Sequence, residues 1–219
     1  MTVGGYQKAA DLPNVIPVFP LTGVLLLPGA ELPLNIFEPR YLNMLDDAMS
    51  GRRLIGMVQP FGGDGLKPAL APIGCAGRIT AYSETGDGRY LITLTGVCRF
   101  KILGEAPALT PYRQAVCDFA TFEADLAAIP GHVEADRKAF LEALRVYLMR
   151  RGLSLDWATA REAPVDALVS SLSMALPFSP AEKQALLEAP DGQDRYETLM
   201  AMLTIDAAQS DDDDPPAVQ

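Results

Sequence analysis

The sequence predicts an α+β protein in which a small β-barrel with one helix is followed by a C-terminal helical bundle. Two observations support this fold class. Between positions 15 and 119, apolar and β-favouring residues form short runs bounded by proline and glycine, a pattern typical of strands and turns. From Gly131 onward the apolar spacing becomes helical. Many short strands with bends and a closing helix favour a barrel, because closure removes exposed sheet edges.

The stretch from Ile16 to Leu45 organises the first part of the chain. Its five prolines each fix their own φ and bias the preceding residue toward extended geometry, which predicts short strands joined by corners. Pro28 and Gly29 predict a turn, since proline suits position i+1 and glycine tolerates a positive φ at i+2. The alternation over 32–37 predicts a strand with one apolar face.

A helix is predicted over residues 39–50. Pro39 suits its first position, Glu38 precedes it, and Gly51 can cap its end. Gly96 interrupts a long strand pattern, which indicates a bulge or a bend. Strands are predicted at 15–19, 24–27, 32–37, 54–59, 73–82, 89–95, 97–104 and 112–119, with a loop at 61–72 and a hairpin connection at 83–88.

The second half of the chain reads as helices. A long helix after Gly131 ends at Gly152, and a short piece around 155–160 carries the single tryptophan. Another helix begins at Pro164, and Ser179 with Glu182 predicts a capping box for the next. We therefore predict a flexible leader at 1–13, a barrel at 14–119, a helical subdomain at 120–208 and a disordered acidic tail at 209–219.

Charge argues against nucleic acid as a partner. Residues 1–119 hold 10 basic and 10 acidic residues, so the remaining 8 basic and 18 acidic residues account for the net charge of −10. Neither half offers the basic surface that phosphate binding requires. The longest aliphatic run, Val24 to Leu27, is far shorter than the ~20 residues that span a bilayer. We expect no membrane association and no signal peptide, and hence a cytoplasmic protein.

Residues with catalytic or metal-binding chemistry are sparse. Three widely separated cysteines predict buried free thiols rather than a disulfide framework or a zinc site. The single histidine, His132, is expected at a helix start and not in a catalytic triad. The glycine-rich segment at 62–65 lacks the Lys-Ser/Thr pair of a phosphate loop. Asp211 to Asp214 are expected to solubilise a tail, and we predict no cofactor and no metal.

Six segments resemble, in order, the N-terminal substrate-binding domain of the Lon protease family. They extend over most of residues 14 to 203 and say more about fold than about function. The matching segments are PVFPLTGVLLLPGAELPLNIFEPRY, RLIGMV at Arg53, PIGCAGRI at Pro72, GVCRFKI at Gly96, PYRQAV at Pro111 and LPFSPAEKQALLEAPDGQDRYETL at Leu176.

The resemblance implies a PUA-like pseudo-barrel and a role in recognising unfolded or damaged polypeptide. Full-length Lon proteins add an ATPase and a Ser–Lys peptidase domain, and neither fits in this chain. The resemblance therefore implies a freestanding, non-enzymatic protein-binding module, an adaptor in proteolysis or quality control. Its expected partners are unfolded polypeptide or another protein, including a protease or ATPase acting in trans.

Polypeptide binding requires exposed apolar surface beside backbone groups that can pair with an extended chain. The candidate residues are Leu27, Phe37, Arg40 and Tyr41. Each also has a structural interpretation. Leu27, Phe37 and Tyr41 suit the core, and Arg40 suits an ion pair with Glu38 or stacking on a ring.

Three alternative functions remain at this stage. A hydrolase related to ATP-dependent proteases would degrade casein. An RNA-binding module, as PUA-like barrels elsewhere are, would lose affinity steeply with salt. A small-molecule pocket would be revealed by stabilisation on ligand binding.

Overall fold

A computed structural model describes residues 5–62, 67–127 and 133–209, without the side chains of 206–209. The chain divides into two compact units. One combines the described part of Met1–Ile129 with Pro177–Leu187, and the other combines the described parts of Pro130–Leu176 and Glu188–Gln219. The elements are β1 (Val15–Pro20), β2 (Glu31–Ile36), α1 (Pro39–Ser50), β3 (Leu54–Val58), β4 (Pro60–Phe61), β5 (Ala69–Leu70), β6 (Ile73–Glu84), β7 (Tyr90–Glu105), β8 (Gln114–Asp118), α2 (Arg137–Arg150), α3 (Trp157–Glu162), α4 (Val165–Ala175), α5 (Pro180–Glu188) and α6 (Gly192–Gln209).

The strand-rich unit is built on a mixed sheet, which confirms the α+β fold class. Its strand order is β2-β7-β6-β3-β1-β8. The β1–β3 pair is parallel, and the other neighbours in this sheet are antiparallel. Because β8 also pairs with β7, the pairings of β7, β6, β3, β1 and β8 form a closed ring. Strand β2 lies outside this ring, and β7 is its only strand neighbour among the described residues.

The predicted strand at 24–27 is wrong. These residues form an irregular segment, although Leu25, Leu26 and Leu27 are buried. A run of leucines indicates that the segment is buried, but both a paired strand and a packed loop can be buried. The turn that follows was predicted correctly: Gly29 has φ +76° and Ala30 N donates to Leu27 O at 3.1 Å.

Strand β7 runs unbroken through Gly96, where two strands were predicted. The predicted irregularity is nevertheless present as a bulge, because the register with β6 shifts between Ala76 and Gly77. Gly96 allows the Leu27 corner to approach, since a Cβ there would lie 2.0 Å from Leu27 O. Gly96 also donates to Ala30 O and accepts from Gly29 N, both at 2.9 Å.

The core of the strand-rich unit includes part of the predicted flexible leader. A 3₁₀ turn at Ala9–Asp11 lies between Tyr6 and Leu12, which are both buried. The predicted leader is therefore anchored by Tyr6 and Leu12, with Ala9 packed against the same core. The core cluster contains Tyr6, Leu12, Ile16, Val18, Leu54, Val58, Ala76, Val97, Cys98, Phe100, Ala115, Cys117, Phe119, Phe122 and Leu126.

Helix α1 has the bounds that the sequence predicted. Pro39 occupies its first turn and Gly51 its C-cap. Its buried face contains Tyr41, Met44, Leu45 and Ala48. The residue with a left-handed backbone at this end is Arg53, with φ +59°, whose N–H donates to Ala48 O at 2.9 Å.

Helix α5 also begins as predicted. Ser179 N donates to Glu182 Oε2 at 2.7 Å and Glu182 N donates to Ser179 Oγ at 3.3 Å, which is a capping box. However, residues 177–187 belong to the strand-rich unit, whereas the sequence assigned all of 120–208 to the helical part. Buried Gln59 donates to Pro180 O at 2.8 Å, so polar contacts of long sequence separation place this helix.

A buried ion pair fixes the segment after β8 to the sheet. The 3₁₀ segment Ala120–Leu126 presents Asp125, whose two carboxylate oxygens accept from Nε and Nη2 of Arg99 at 2.9 and 2.8 Å. The side chains are 4% and 10% exposed for Arg99 and Asp125. Arg99 also lies over the Phe122 ring and donates to Leu187 O at 3.1 Å. One guanidinium group therefore joins β7, the 3₁₀ segment and α5.

The helical unit packs α2 and α4 against α6. The rings of Phe140 and Tyr196 meet edge-to-face with centroids 5.5 Å apart. Arg137 Nη2 donates to the carbonyls of Ala160, Arg161 and Ala163 at 2.6–2.9 Å, which satisfies carbonyls left open at the end of α3. Its core residues include Phe140, Leu144, Tyr147, Leu148, Leu168, Val169, Leu172, Leu199 and Leu203.

Several sequence predictions concern residues outside the described ranges. These are the role of His132, most of the glycine-rich segment at 62–65, and the acidic residues Asp211 to Asp214. In the part of the chain that the structure describes, no helix is long and apolar enough to cross a membrane.

Candidate functional site

The second half of β6 has an unpaired edge. Strand β3 pairs with β6 only from Cys75 to Arg78, whereas β7 continues along β6 as far as Glu84. Among the residues that the structure describes, residues 80–84 therefore have a neighbouring strand on one side only, and all five are exposed. We refer to residues 80–84 of β6 as the open edge.

The hydrogen-bond pattern identifies which backbone groups face outward on the open edge. In the connecting turn, Thr85 N donates to Arg89 O at 2.9 Å, so this pair is a hydrogen-bonded one. Hydrogen-bonded and non-hydrogen-bonded pairs alternate along an antiparallel ladder. Tyr82 and Glu84, opposite Ile92 and Tyr90, are therefore non-hydrogen-bonded positions. Their N–H and C=O groups point away from β7 and are available to an added strand.

Aromatic side chains lie beside these backbone groups. The rings of Tyr82 and Tyr90 stack with centroids 5.0 Å apart, and Tyr82 is 44% exposed. Leu91, opposite Ser83, is 49% exposed and faces the other side of the sheet. An extended chain added to the open edge would therefore find apolar contacts on both faces.

The electrostatic surroundings of the tyrosine pair are acidic. The hydrogen bond with Tyr82, reinforced by the nearby Glu84 carboxylate, raises the pKa of Tyr90 to about 12. The Asp87 carboxylate pairs with Arg89 at 3.0 Å and so adds no net charge. Such surroundings disfavour phosphate groups.

Strand β2 offers a second edge that is less suited to pairing. Gly96 N donates to Ala30 O, so the alternation makes Glu31, Pro33 and Asn35 the outward-facing positions. Pro33 has no N–H to donate, and a proline on an edge blocks the addition of another strand. The open edge of β6 contains no proline.

The four candidate residues selected from the sequence differ in their exposure and contacts. Leu27 is completely buried, and Tyr41 is 6% exposed, with its ring 4.2 Å from that of Phe19. Arg40 pairs with Glu38 at 2.8 Å and lies over the Tyr41 ring, so both structural interpretations of this arginine are confirmed. Phe37, at 61% exposure, is the apolar member that a partner can reach. That these residues bind polypeptide remains a prediction.

Phe37 lies at the same end of the sheet as the tyrosine pair. It follows Ile36, which is opposite Tyr90, and β7 separates β2 from β6. Two strand spacings amount to about 10 Å. Tyr82 and the open edge were not predicted from the sequence, since the patterns at 73–82 and 89–95 indicate adjoining strands but not the point where β3 stops pairing.

The described residues provide little for covalent or metal chemistry. Burial raises the pKa of the Cys98 and Cys117 thiols to about 12, and burial also raises the pKa of Cys75 well above its usual value. These thiols are therefore protonated and unreactive at neutral pH. Within the described ranges, no group of three or more His, Cys, Asp or Glu side chains could hold a metal ion.

Comparisons with known proteins agree on one family. The family model described as "ATP-dependent protease La (LON) substrate-binding domain" matches residues 15–204. The chain is 26% identical over 204 residues to a Lon protease of Roseiflexus castenholzii and 23% identical over 210 residues to Lon protease 2 of Myxococcus xanthus. These alignments take in 90% and 93% of this chain but only 25% of each relative. The chain thus spans about a quarter of their length.

Solved structures give the same fold. The chain is similar to a Lon N-terminal domain protein from Xanthomonas campestris, with a TM-score of 0.60 and 24% identity, over 85% of this chain and 97% of that one. It is also similar to the N-terminal domain of a Mycobacterium avium complex Lon protease, with a TM-score of 0.59 and 18% identity, over 87% and 98% of the two chains.

Proposed function

The chain belongs to the family of LON substrate-binding domains, and from this membership we propose that it binds extended segments of unfolded polypeptide without catalysing a reaction. The observation that carries the proposal is the open edge of β6. It offers outward-facing backbone groups at Tyr82 and Glu84 beside exposed aromatic and aliphatic side chains. An extended chain can add to such an edge as a further strand.

The added strand gains affinity in two ways. Main-chain hydrogen bonds to Tyr82 and Glu84 are independent of the bound sequence, as recognition of many unfolded proteins requires. The tyrosine pair and Leu91 contribute burial at about 25 cal/mol per Å² of apolar surface. Phe37, at the same sheet end, extends this surface, and the Arg40–Tyr41 stack supports the corner from which Phe37 projects. Leu27 supports the fold from the core.

The same reasoning favours an adaptor over an enzyme. The matched family is defined by substrate binding, and the three described thiols are buried and protonated at neutral pH. We propose that the protein holds polypeptide and presents it to a protease or ATPase in trans. We also propose that the closed ring of strands is a PUA-like pseudo-barrel and that the helical unit is a bundle.

A pair of variants tests the binding mode. Glu84→Pro removes one outward N–H and obstructs an added strand, whereas Glu84→Ala removes the same carboxylate and keeps the N–H. The hairpin itself does not use the Glu84 N–H, so both variants should fold. We expect Glu84→Pro to weaken binding of a fluorescent, reduced and carboxymethylated unfolded protein at least about tenfold, or 1.4 kcal/mol. Glu84→Ala should bind within about twofold of the original chain.

Equal affinities for the two variants would rule out strand addition at this edge. Turnover of casein by the purified chain, with or without ATP, would favour the hydrolase alternative. Each result is measured on the same preparation, with circular dichroism as the control for folding.

A further inference from the structure

The arginines of the strand-rich unit differ in whether they have a carboxylate partner. Among the described residues of this unit, four form ion pairs and three do not, and the three unpaired arginines lie together at the end of α1. The four pairs are Arg40–Glu38, Arg89–Asp87, Arg99–Asp125 and Arg113–Glu105, at 2.6–3.0 Å, and the unpaired residues are Arg52, Arg53 and Arg78.

Two of these arginines line a cleft of about 260 Å³. Its lining combines Arg52 and Arg53 with the apolar residues Pro13, Val15 and Pro17. The cleft lies where β1 and β3 separate, since their pairing begins only at Val18 and Gly56. This volume is below the roughly 300 Å³ at which pockets for whole drug-sized ligands begin, so the cleft is small for such a ligand.

Neither Arg52 nor Arg53 forms an ion pair with a described residue. Arg52 Nη1 donates to the Asp11 carbonyl at 2.9 Å, and the Arg52 carbonyl accepts from Arg78 Nη1 at 3.3 Å. Neither contact supplies a negative charge. The acidic side chain in the cleft, Asp47, accepts from Tyr112 at 2.6 Å. The lining of the cleft thus holds two positive charges, Arg52 and Arg53, and one negative charge, Asp47. The cleft is net positive although the net charge of the chain is −10.

Arg53 occupies a backbone conformation that disfavours its side chain. Its φ of +59° lies in the left-handed region, where glycine is free of strain and a long side chain costs about 1–2 kcal/mol. Hydrogen bonds from Arg53 N to Ala48 O and from Ile79 N to Arg53 O, both 2.9 Å, hold it there. A left-handed residue commonly closes a helix C-terminus, but it is usually glycine, and here the position holds an exposed arginine.

We infer that this cleft binds a carboxylate of the polypeptide ligand, with an apolar side chain of the same segment packed against Val15. A carboxylate matches the planar guanidinium groups through paired hydrogen bonds. The carboxylate comes either from an acidic side chain or from a free C-terminus, which offer the same chemistry. The inference rests on the proposed function only in taking polypeptide as the ligand.

The test uses Arg53→Gly and Arg53→Asn, which remove the charge and suit the left-handed backbone. The probe is a fluorescent apolar peptide with two glutamates in three forms: free C-terminus, amidated C-terminus, and amidated with glutamine in place of both glutamates. Arg145→Gln, in the helical unit, is the matched control. We expect both Arg53 variants to raise the Kd of the peptide that has both glutamates and a free C-terminus at least fivefold without lowering Tm, and Arg145→Gln to leave Kd unchanged.

The outcomes separate this inference from the proposed function. If amidation of the C-terminus alone abolishes the tighter binding of the acidic peptide, the C-terminus supplies the carboxylate. If tighter binding survives amidation and is lost only with glutamine in place of the glutamates, the glutamates supply it. Equal binding of all three peptides, or Arg53 variants with unchanged Kd, overturns the cleft inference while the Glu84→Pro result still decides the open edge. Displacement of the peptide by a short RNA, with steep salt dependence, would identify a phosphate site and also overturn it.

Discussion

Loss of the Arg99 guanidinium should destabilise the strand-rich unit more than any surface charge change. Arg99→Met keeps much of the side-chain volume over the Phe122 ring but leaves the Asp125 carboxylate without its partner. The pair is almost completely buried, at 4% and 10% exposure. Removing one member of such a pair costs about 3–5 kcal/mol, because an uncompensated charge remains inside the protein.

A second substitution should recover most of that loss. Arg99→Met with Asp125→Leu replaces both charges with apolar groups, and exchanges of this kind are often neutral or stabilising. Part of the cost remains, because Arg99 N would lose its acceptor, Asp125 Oδ2 at 2.9 Å, and Leu187 O would lose its donor, Arg99 Nη1 at 3.1 Å. We therefore expect the double variant to be about 1–3 kcal/mol less stable than the original chain.

Urea unfolding monitored by circular dichroism measures these differences. Arg145→Met is the matched control, since Arg145 pairs with Glu142 at 2.6 Å but the side chains are 54% and 60% exposed. Such a pair is worth less than about 1 kcal/mol. The reasoning is refuted if Arg99→Met and Arg145→Met lose the same stability, or if the double variant is less stable than Arg99→Met alone.

Three further predictions follow from burial and local geometry. At pH 8 the three thiols of the native protein should not react with a disulfide reagent, because burial raises their pKa values. All three should react in urea. Rapid reaction of the native protein would contradict their burial. Gly96→Ala should cost more than about 2 kcal/mol, because its Cβ would meet the Leu27 carbonyl, while Gly104→Ala, with open space, should cost less than about 1 kcal/mol, as thermal unfolding will measure. Tyr82→Phe should lower the pKa of Tyr90 from about 12 toward 10, since the Tyr82 hydrogen bond favours the neutral phenol. In the original chain the Tyr82–Tyr90 hydrogen bond stabilises the folded state fully below pH 10, and this stabilisation is lost as the pH rises through about 12. An ultraviolet titration of Tyr90 that Tyr82→Phe leaves unchanged would exclude this hydrogen bond as the cause of the raised pKa.

Local signals in the sequence predicted the elements that depend on neighbouring residues. Pro39 at the start of α1, the Ser179–Glu182 capping box and the Pro28–Gly29 turn each involve contacts within four positions. The resemblance of six segments over residues 14 to 203 identified the family, and the family match over 15–204 confirms it.

Contacts between distant residues were beyond prediction. Gln59 reaches Pro180 across 121 positions, and Arg99 reaches Leu187 across 88, so α5 joins the strand-rich unit. The candidate site was missed for a related reason. Whether residues 80–84 form an edge depends on where β3 ends, and no periodicity within β6 contains that information. The sequence left both a core role and a binding role open for Leu27, because an apolar corner looks the same in sequence whether it is exposed or buried; the structure places Leu27 in the core.

Amide hydrogen exchange at the open edge tests the central claim most directly. The exchange rates of Tyr82 N–H and Glu84 N–H are measured with and without a saturating unfolded polypeptide, and Asn35 N–H on the proline-containing β2 edge serves as the internal reference. Strand addition at β6 predicts that the first two amides slow at least tenfold while Asn35 is unchanged. Unaltered exchange at Tyr82 and Glu84 in a chain that demonstrably holds the polypeptide would contradict the account.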